Sequence, residues 1–354
     1  MKKHNYSAGP CILPQEVFEQ AAASVLNFNN LNLSILEVSH RSKDIVAVME
    51  EAQALVLELL NLENKGYEVL FLQGGASLQF LMAPYNLLKS KAAYLDTGTW
   101  SSNAIKEAKY IGNVEVVASS KENGYRHIPK GFNIPSDADY FHCTSNNTIY
   151  GTQIKSFQNS PVPVVCDMSS DIFSRVLDFS KFDLIYAGAQ KNMGPAGTTL
   201  VVVKKDLLGK TGRAIPAILD YETHIAKESM FNTPAVFAVY VSMLTLRWLK
   251  NLGGISAIEK INNAKAELLY AEIDRNPLFK GYASPDDRSN MNVTFNLADG
   301  VSGEVFDGLW KAAGINGLNG HRSVGGYRAS MYNALPLESV QVLVEAMQTF
   351  EKKA

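Results

Sequence analysis

The sequence predicts an α/β fold in which a large domain with a mostly parallel sheet is followed by a smaller C-terminal α+β domain, and three observations carry that expectation. Short β-rich runs, apolar on both faces, recur with helical stretches or long loops between them, as in a parallel sheet covered on both sides. Near Asn251-Leu252-Gly253-Gly254 the pattern changes to a long amphipathic stretch. The 354 residues, 46% hydrophobic and 19% charged, suit about two domains with ample core material and no sign of disorder.

Residues 1–15 are expected to form an extended arm, because Pro10 and Pro14 bracket Cys11. Its charged start, Met1-Lys2-Lys3-His4-Asn5-Tyr6, meets no apolar run before Pro10, which argues against a signal peptide. Over 42–60, apolar residues at Ile45, Val48, Met49, Ala52, Leu55, Val56 and Leu59 keep helical spacing. Strands are predicted at 67–72, 92–95, 114–118, 162–166, 184–187 and 199–203, all within a large domain of residues 16–254. The domain of residues 255–354 is expected to hold a helix over 255–273, a strand over 291–296 and a helix near 303–313. The segment 323–331 and a last helix from Leu337 complete it.

The apolar span 235–246, closed by Pro234 and Arg247, is too short to cross a bilayer. Cys11, Cys143 and Cys166 form no CxxC pair, which argues against a disulfide framework and a zinc site and makes a reducing cytoplasm the expected compartment, with no metal. A net charge of −2 gives no global field for nucleic acid or an anionic membrane, so an anion must be caught by a local cluster.

Lys191 stands in Ala187-Gly188-Ala189-Gln190-Lys191-Asn192-Met193-Gly194-Pro195-Ala196-Gly197, just past a buried strand and inside a Gly/Pro-rich turn. Ligands bind at the C-terminal ends of strands in open α/β sheets, and a lysine of lowered pKa there can act as a Schiff-base nucleophile. Read alone, a solvated loop lysine is the commoner case. Asp167 closes the apolar run Pro163-Val164-Val165-Cys166, where a carboxylate needs a cation such as a protonated pyridine nitrogen, or else caps a turn. Together the two residues can reach one crevice, one to hold a ring nitrogen and one to meet an aldehyde carbon, as a pyridoxal cofactor requires.

Leu72-Gln73-Gly74-Gly75-Ala76-Ser77 runs from a strand into a helix whose free N–H groups on Ala76 and Ser77 suit a phosphate, a plain turn being the alternative. No GxGxxG or GxxxxGK[ST] occurs, which weighs against a dinucleotide fold or a P-loop. Trp100, after Asp96-Thr97-Gly98-Thr99, is placed to stack on a flat ring or to fill the core. Ser39-His40-Arg41 and Gly320-His321-Arg322 pair histidine with arginine in a chain with 6 histidines, a pattern for anion capture unless both are rim residues. Arg328, next to Tyr327 in a strand-like context, is expected to point inward.

With these residues assembled, the chain resembles the phosphoserine aminotransferase family of the class V, fold-type I pyridoxal-phosphate enzymes. The matching stretches are Ser7-Ala8-Gly9-Pro10, Glu37-Val38-Ser39-His40-Arg41, the lysine motif of 187–197, Met230-Phe231-Asn232-Thr233-Pro234, and 320–330. They span essentially the whole chain; the His-Arg motifs are specific to the family, whereas the lysine motif marks the wider class. The resemblance implies a seven-stranded-type sheet between helices, pyridoxal 5'-phosphate as cofactor, and a homodimer whose active sites are shared between subunits. It also implies transamination between L-glutamate and 3-phosphohydroxypyruvate, giving O-phospho-L-serine and 2-oxoglutarate in serine biosynthesis, with the phosphohydroxythreonine step of vitamin B6 synthesis as a possible second use.

By the same resemblance Lys191 is the cofactor-binding lysine and proton shuttle, Asp167 the partner of the pyridine nitrogen, Trp100 the stacking ring and Thr148 a hydroxyl facing the ring. Ala76, Ser77 and Gln190, with Asn232 and Thr233 from the second subunit, match the cofactor's phosphate cup. Arg328 resembles the clamp on the α-carboxylate, and His321 and Arg322, joined by His40 and Arg41 of the second subunit, resemble the site for the substrate phosphate. A phosphoester carries about −1.5 to −2 charge, which two arginines and two histidines balance and a neutral side chain would not need. Some members carry Gly-Arg where this chain has Ala76-Ser77; backbone donation survives that change, an arginine contribution does not.

Other readings are weaker. A cysteine desulfurase needs a nucleophilic cysteine on a late loop, yet the last one here is Cys166 within a predicted strand, and Gln190 stands where that group has His. A glyoxylate transaminase gives no reason for paired His-Arg motifs. A binding protein without turnover gives none for keeping Lys191, Asp167 and three arginines together.

Overall fold

The computed structural model describes residues 3–353; residues 1, 2 and 354, and with them the start of the expected arm, lie outside the described residues. The chain opens with a short strand, β1 (His4–Asn5), and helices α1 (Gln15–Leu26) and α2 (Lys43–Leu59). The Ser42 hydroxyl accepts the Ile45 N–H, so α2 starts under an N-cap at the edge of the predicted helix. Then follow β2 (Tyr67–Leu72), α3 (Gly75–Leu87), β3 (Lys91–Asp96), α4 (Thr99–Ala108) and β4 (Asn113–Ser119).

After β4 long connections replace helices. They join β5 (Phe141–Thr144), a small hairpin of β6 (Asn146–Asn147) and β7 (Thr152–Gln153), β8 (Val164–Asp167) and β9 (Leu184–Gly188). One helical turn, α5 (Ala189–Asn192), leads to β10 (Thr199–Lys204), α6 (Tyr221–Ala226) and α7 (Val236–Asn251). The remainder is α8 (Gly254–Arg275), β11 (Phe279–Gly281), β12 (Asn292–Leu297), α9 (Glu304–Ala312), β13 (Ile315–Asn316), β14 (Tyr327–Ser330) and α10 (Leu337–Glu351). Among the described residues no helix is long and apolar enough to cross a membrane.

Seven strands form one sheet in the order β2-β10-β9-β8-β5-β3-β4. Only β10 runs antiparallel to its neighbours, so the sheet is mixed and mostly parallel, as the α/β expectation required. Helices α1, α2 and α7 bring Val17, Ile45, Val56 and Leu244 onto one face against Val69, Ile185 and Leu200. Helices α3 and α4 bring Phe80 and Ile105 onto the other, against Leu70, Tyr186 and Val201. A separate core gathers Phe279, Phe295, Phe306 and Phe350 under the three-stranded sheet β11-β12-β14. Helix α8 joins the two: Ile255 and Ile258 pack in the first core, Leu269 and Ile273 in the second.

Two expectations need correction. The run 114–118 was expected to be apolar on both faces, but β4 is the sheet's outer strand and stays largely exposed, because only β3 pairs with it. β5 was not predicted: all four of its residues are buried, yet His142 and Thr144 break the apolar signature that marks the other strands. The arm is placed as well, since β1 pairs with β13 and Tyr6 is buried in the second core with its hydroxyl on the Ser339 carbonyl at 2.7 Å.

His142 has a consequence for stability. Its ring stacks 4.7 Å from Tyr94 and its Nε2 bonds Tyr186 Oη at 2.8 Å, and burial lowers its pKa from 6.5 to about 3. Between those values the unfolded chain takes a proton that the native site refuses, so stability falls as pH drops below 6.5. Two pH units into that window the expected loss from this group is about 3 kcal/mol. Urea denaturation at pH 7 and pH 4.5 should show a smaller acid loss for His142→Gln than for the native protein; equal losses would refute the assignment.

Candidate active site

Strand register decides what can meet. Leu72 of β2 and Gly188 of β9 both pair with Thr199 at the start of β10, and Asp167 of β8 pairs with Thr144 of β5. The C-terminal ends of β2, β5, β8 and β9 therefore share one edge, where an open α/β sheet binds ligands.

At that edge β9 passes directly into α5, so Lys191 sits on a helical turn rather than in the irregular turn expected. Its Nζ donates to Thr148 Oγ1 at 2.8 Å and lies 5.6 Å from the centre of the Trp100 ring. Burial lowers the Lys191 pKa to about 8; the Arg328 charge adds to that effect and the Asp167 carboxylate opposes it. An amine so tuned is largely unprotonated at mildly alkaline pH and is a competent nucleophile.

Asp167 is 4% exposed, and its Oδ1 accepts the Ser169 N–H at 2.9 Å, so it serves the turn as well. Burial raises its pKa, against the pull of Ser169 and Lys191. Among the described residues it has no ion pair, which leaves its carboxylate free for a cationic ring nitrogen.

The β6–β7 hairpin supplies Thr148, whose hydroxyl oxygen accepts a hydrogen bond from the lysine amine and whose carbonyl accepts a long 3.4 Å bond from Arg328 Nη1. Arg328 projects from β14, opposite Thr294 of β12. Trp100 lies in the first turn of α4, although the glycine and hydroxyl residues around it read as a loop in the sequence. Trp100 Nε1 and Arg328 Nε are both buried without a hydrogen-bond partner. Two orphaned donors beside one buried amine are what a site prepared for a polar ligand leaves behind.

The phosphate-cup candidates follow β2. Gly74 has φ +94°, and a Cβ there would meet Leu78 at 2.6 Å, so only glycine turns the chain into α3. The Leu78 N–H is the first to bond back along the helix, to the Gly74 carbonyl, which leaves those of Ala76 and Ser77 at the free end. Gln190, next to Lys191, completes this side of the edge.

The remaining candidates are not drawn to Lys191 within one chain. Asn232 and Thr233 are exposed and grip Gln73 instead, the Asn232 amide donating to Gln73 Oε1 and Gln73 Nε2 to the Thr233 carbonyl, each at 2.7 Å. His40 is half-buried and Arg41 exposed on the turn before α2. His321 is held by Ser323 Oγ at 2.7 Å, and burial with the charges of Arg328 and Arg322 lowers its pKa, so these three basic groups share one field.

Sequence reasoning missed the arm's part in the site. Cys11 Sγ donates to the Lys191 carbonyl at 2.5 Å and the Cys11 N–H to that of Gln190 at 3.2 Å. Gly9 has φ +138°, and a Cβ there would stand 3.3 Å from Lys191 Cγ. Nothing local in the first decade points to a residue 180 positions away. A cavity of about 640 Å³ between Phe132, Phe141, Phe157 and Phe182 holds none of the site residues.

This donor set fits pyridoxal phosphate: a lysine of lowered pKa for the aldehyde, an unpaired buried carboxylate for the ring nitrogen, and free helix-start N–H groups for the phosphate. The aminotransferase class-V family model matches residues 4–343. The phosphoserine aminotransferase of Flavobacterium psychrophilum is 74% identical, with all of both chains covered. Among solved structures, the phosphoserine aminotransferase from Bacillus circulans subsp. alkalophilus is 44% identical over 99% of each chain with TM-score 0.94. A PLP-bound phosphoserine aminotransferase from Trichomonas vaginalis is 36% identical over 98% of this chain and 100% of that one, with TM-score 0.92. Geometry and kinship agree, and the chain belongs to the class-V aminotransferases, in the phosphoserine aminotransferase family.

Proposed function

We propose that the protein transfers the amino group of L-glutamate to 3-phosphohydroxypyruvate, giving O-phospho-L-serine and 2-oxoglutarate for serine biosynthesis. The observation that carries this reading is the Lys191 amine, held 2.8 Å from Thr148 at a sheet edge that also bears Asp167 and is faced by Arg328. The four-carbon phosphohydroxy acid of the vitamin B6 route is a second acceptor of the same chemistry. The setting is a cytoplasmic homodimer, each chain comprising an arm (1–15), a large domain (16–254) and a small domain (255–354).

The chemistry supplied by bound pyridoxal phosphate is an aldehyde that exchanges amines and a ring that withdraws electrons from the substrate's α-carbon. Asp167 pairs with the ring nitrogen and keeps it protonated. Ala76, Ser77 and Gln190 would hold the phosphate, joined by Asn232 and Thr233 of the other subunit, and Trp100 would stack on the ring. Arg328 grips the α-carboxylate. Lys191 Nζ would hold the cofactor's aldehyde and, when free, would move the substrate's α-proton. Thr148 Oγ1 holds Nζ in reach meanwhile.

Acceptor choice rests on charge. His321 and Arg322, with His40 and Arg41 from the other subunit, surround the phosphate of phosphohydroxypyruvate, and charge-assisted bonds of this kind contribute about 1.5–3 kcal/mol each. Arg322→Gln and Arg41→Gln should each lower kcat/KM for phosphohydroxypyruvate by about 10- to 100-fold and leave the rate with glyoxylate unchanged. Glyoxylate preferred over phosphohydroxypyruvate by the native enzyme would overturn the assignment.

A further inference from the structure

Lys191, Asp167 and Arg328 come from three separate stretches of chain, yet an α-amino acid demands fixed spacing among them, because its amine and carboxylate share one carbon. Among the described residues the bond that ties the two ends together, Arg328 Nη1 to the Thr148 carbonyl, is long at 3.4 Å and therefore weak. Something stiffer must hold the register.

The loop after Asp167 presents three consecutive carbonyls, and each accepts one asparagine amide. Asn192, next to Lys191, donates to Ile172 O at 2.5 Å; Asn333, three residues beyond the Arg328 strand, donates to Phe173 O at 3.0 Å; Asn262 of α8 donates to Ser174 O at 3.0 Å. The three are also bonded to one another, the Asn333 N–H to Asn192 Oδ1 at 2.8 Å and Asn262 Nδ2 to Asn333 Oδ1 at 2.9 Å. All are at least nine-tenths buried. Phe173, in their midst, is wholly buried at φ +59°, a backbone state that a bulky residue keeps only when its surroundings impose it.

The far side of the Asn333 turn is fixed as firmly. Lys265, fully buried on α8 one helical turn from Asn262, donates to the carbonyls of Met331, Tyr332 and Leu335 at 3.0, 2.9 and 3.1 Å. Three acceptors use all three N–H groups of an ammonium. Asn262 Oδ1 is buried without a partner, a cost an apolar residue would avoid, so its two donated bonds serve geometry more than stability.

We propose that Asn192, Asn262 and Asn333 form a positioning relay that locks the Arg328 strand in register with Lys191 and Asp167, an inference that rests on the roles given to those three residues above. None of the asparagines touches substrate; Asn333 acts through Arg328.

The test is a double-mutant cycle on the pyridoxal-phosphate-loaded enzyme. Asn333→Ala should lower kcat/KM for glutamate at least tenfold, since misplacement of about 1 Å can cost 100-fold. It should also weaken binding of glutarate, measured by calorimetry, which needs the carboxylate clamp and no chemistry. In an Arg328→Gln background the same change should cost less than twofold, because its target is gone. Asn262→Ala, farther from the site, guards against a misfolded variant and should show a smaller loss with the same coupling. Additive losses, or none, with Arg328→Gln itself damaging, overturn the relay alone. If Arg328→Gln is harmless, the carboxylate assignment fails and the relay falls with it.

Discussion

Lys191→Ala is expected to lower kcat by about 10⁴-fold or more, because on the proposed mechanism one change removes both the covalent anchor and the group that moves the α-proton. The native protein is expected to show an absorbance band near the visible edge that glutamate bleaches and phosphohydroxypyruvate restores, and the variant should lack it even with pyridoxal phosphate supplied. The pH dependence has a definite sign. The nucleophile is the unprotonated amine, and the Lys191 pKa lies at about 8, so capture of the cofactor by apoprotein should rise with pH and level off above about 8. Arg328→Gln removes a charge that helps hold this pKa down and should move the midpoint upward. Stopped-flow absorbance reads both effects; native-like turnover by Lys191→Ala would end the case for this lysine.

The second large effect belongs to Asp167. Asp167→Asn keeps the shape of the side chain and removes the charge that keeps a ring nitrogen protonated, and kcat should fall about 10²- to 10³-fold. Stability should move the opposite way. Burial raises the Asp167 pKa, which means that the carboxylate form is disfavoured in the folded apoprotein relative to the unfolded chain at neutral pH. Removing an unpaired buried charge should therefore raise the apoprotein's Tm while activity drops, the exchange expected where a site is built for function. Loss of both activity and Tm would point to a merely structural carboxylate.

Asp167 and Lys191 were legible in the sequence as a pair, each a charged residue set at or just past the end of an apolar run, although either alone reads as a turn or loop residue. The six strands read from apolar runs were legible for a related reason. β5 was not, since His142 and Thr144 are polar residues in a buried strand and look like a loop in one dimension. Trp100 was found, but its helix was not, because Thr99 and the serines after it read as turn residues. The three asparagines left no trace at all: Asn192, Asn262 and Asn333 have no periodicity, and their meaning comes from carbonyls of residues 172–174 that carry no side-chain signal. The glycine at position 9 was visible only within a family motif, and its reason, a close approach to Lys191, exists only in three dimensions.

The arm that walls Lys191 also orders events during synthesis. His4 finds its strand partner at Ile315, and the Tyr332 hydroxyl bonds the Ala8 carbonyl at 2.8 Å. The arm's residues thus leave the ribosome long before their partners, and contacts of such sequence separation form slowly. A nascent chain can bury its large core early, yet the cover over the Lys191 amine must wait until residues 315–332 are folded, so the site is completed by that late segment rather than by the sheet that carries the lysine.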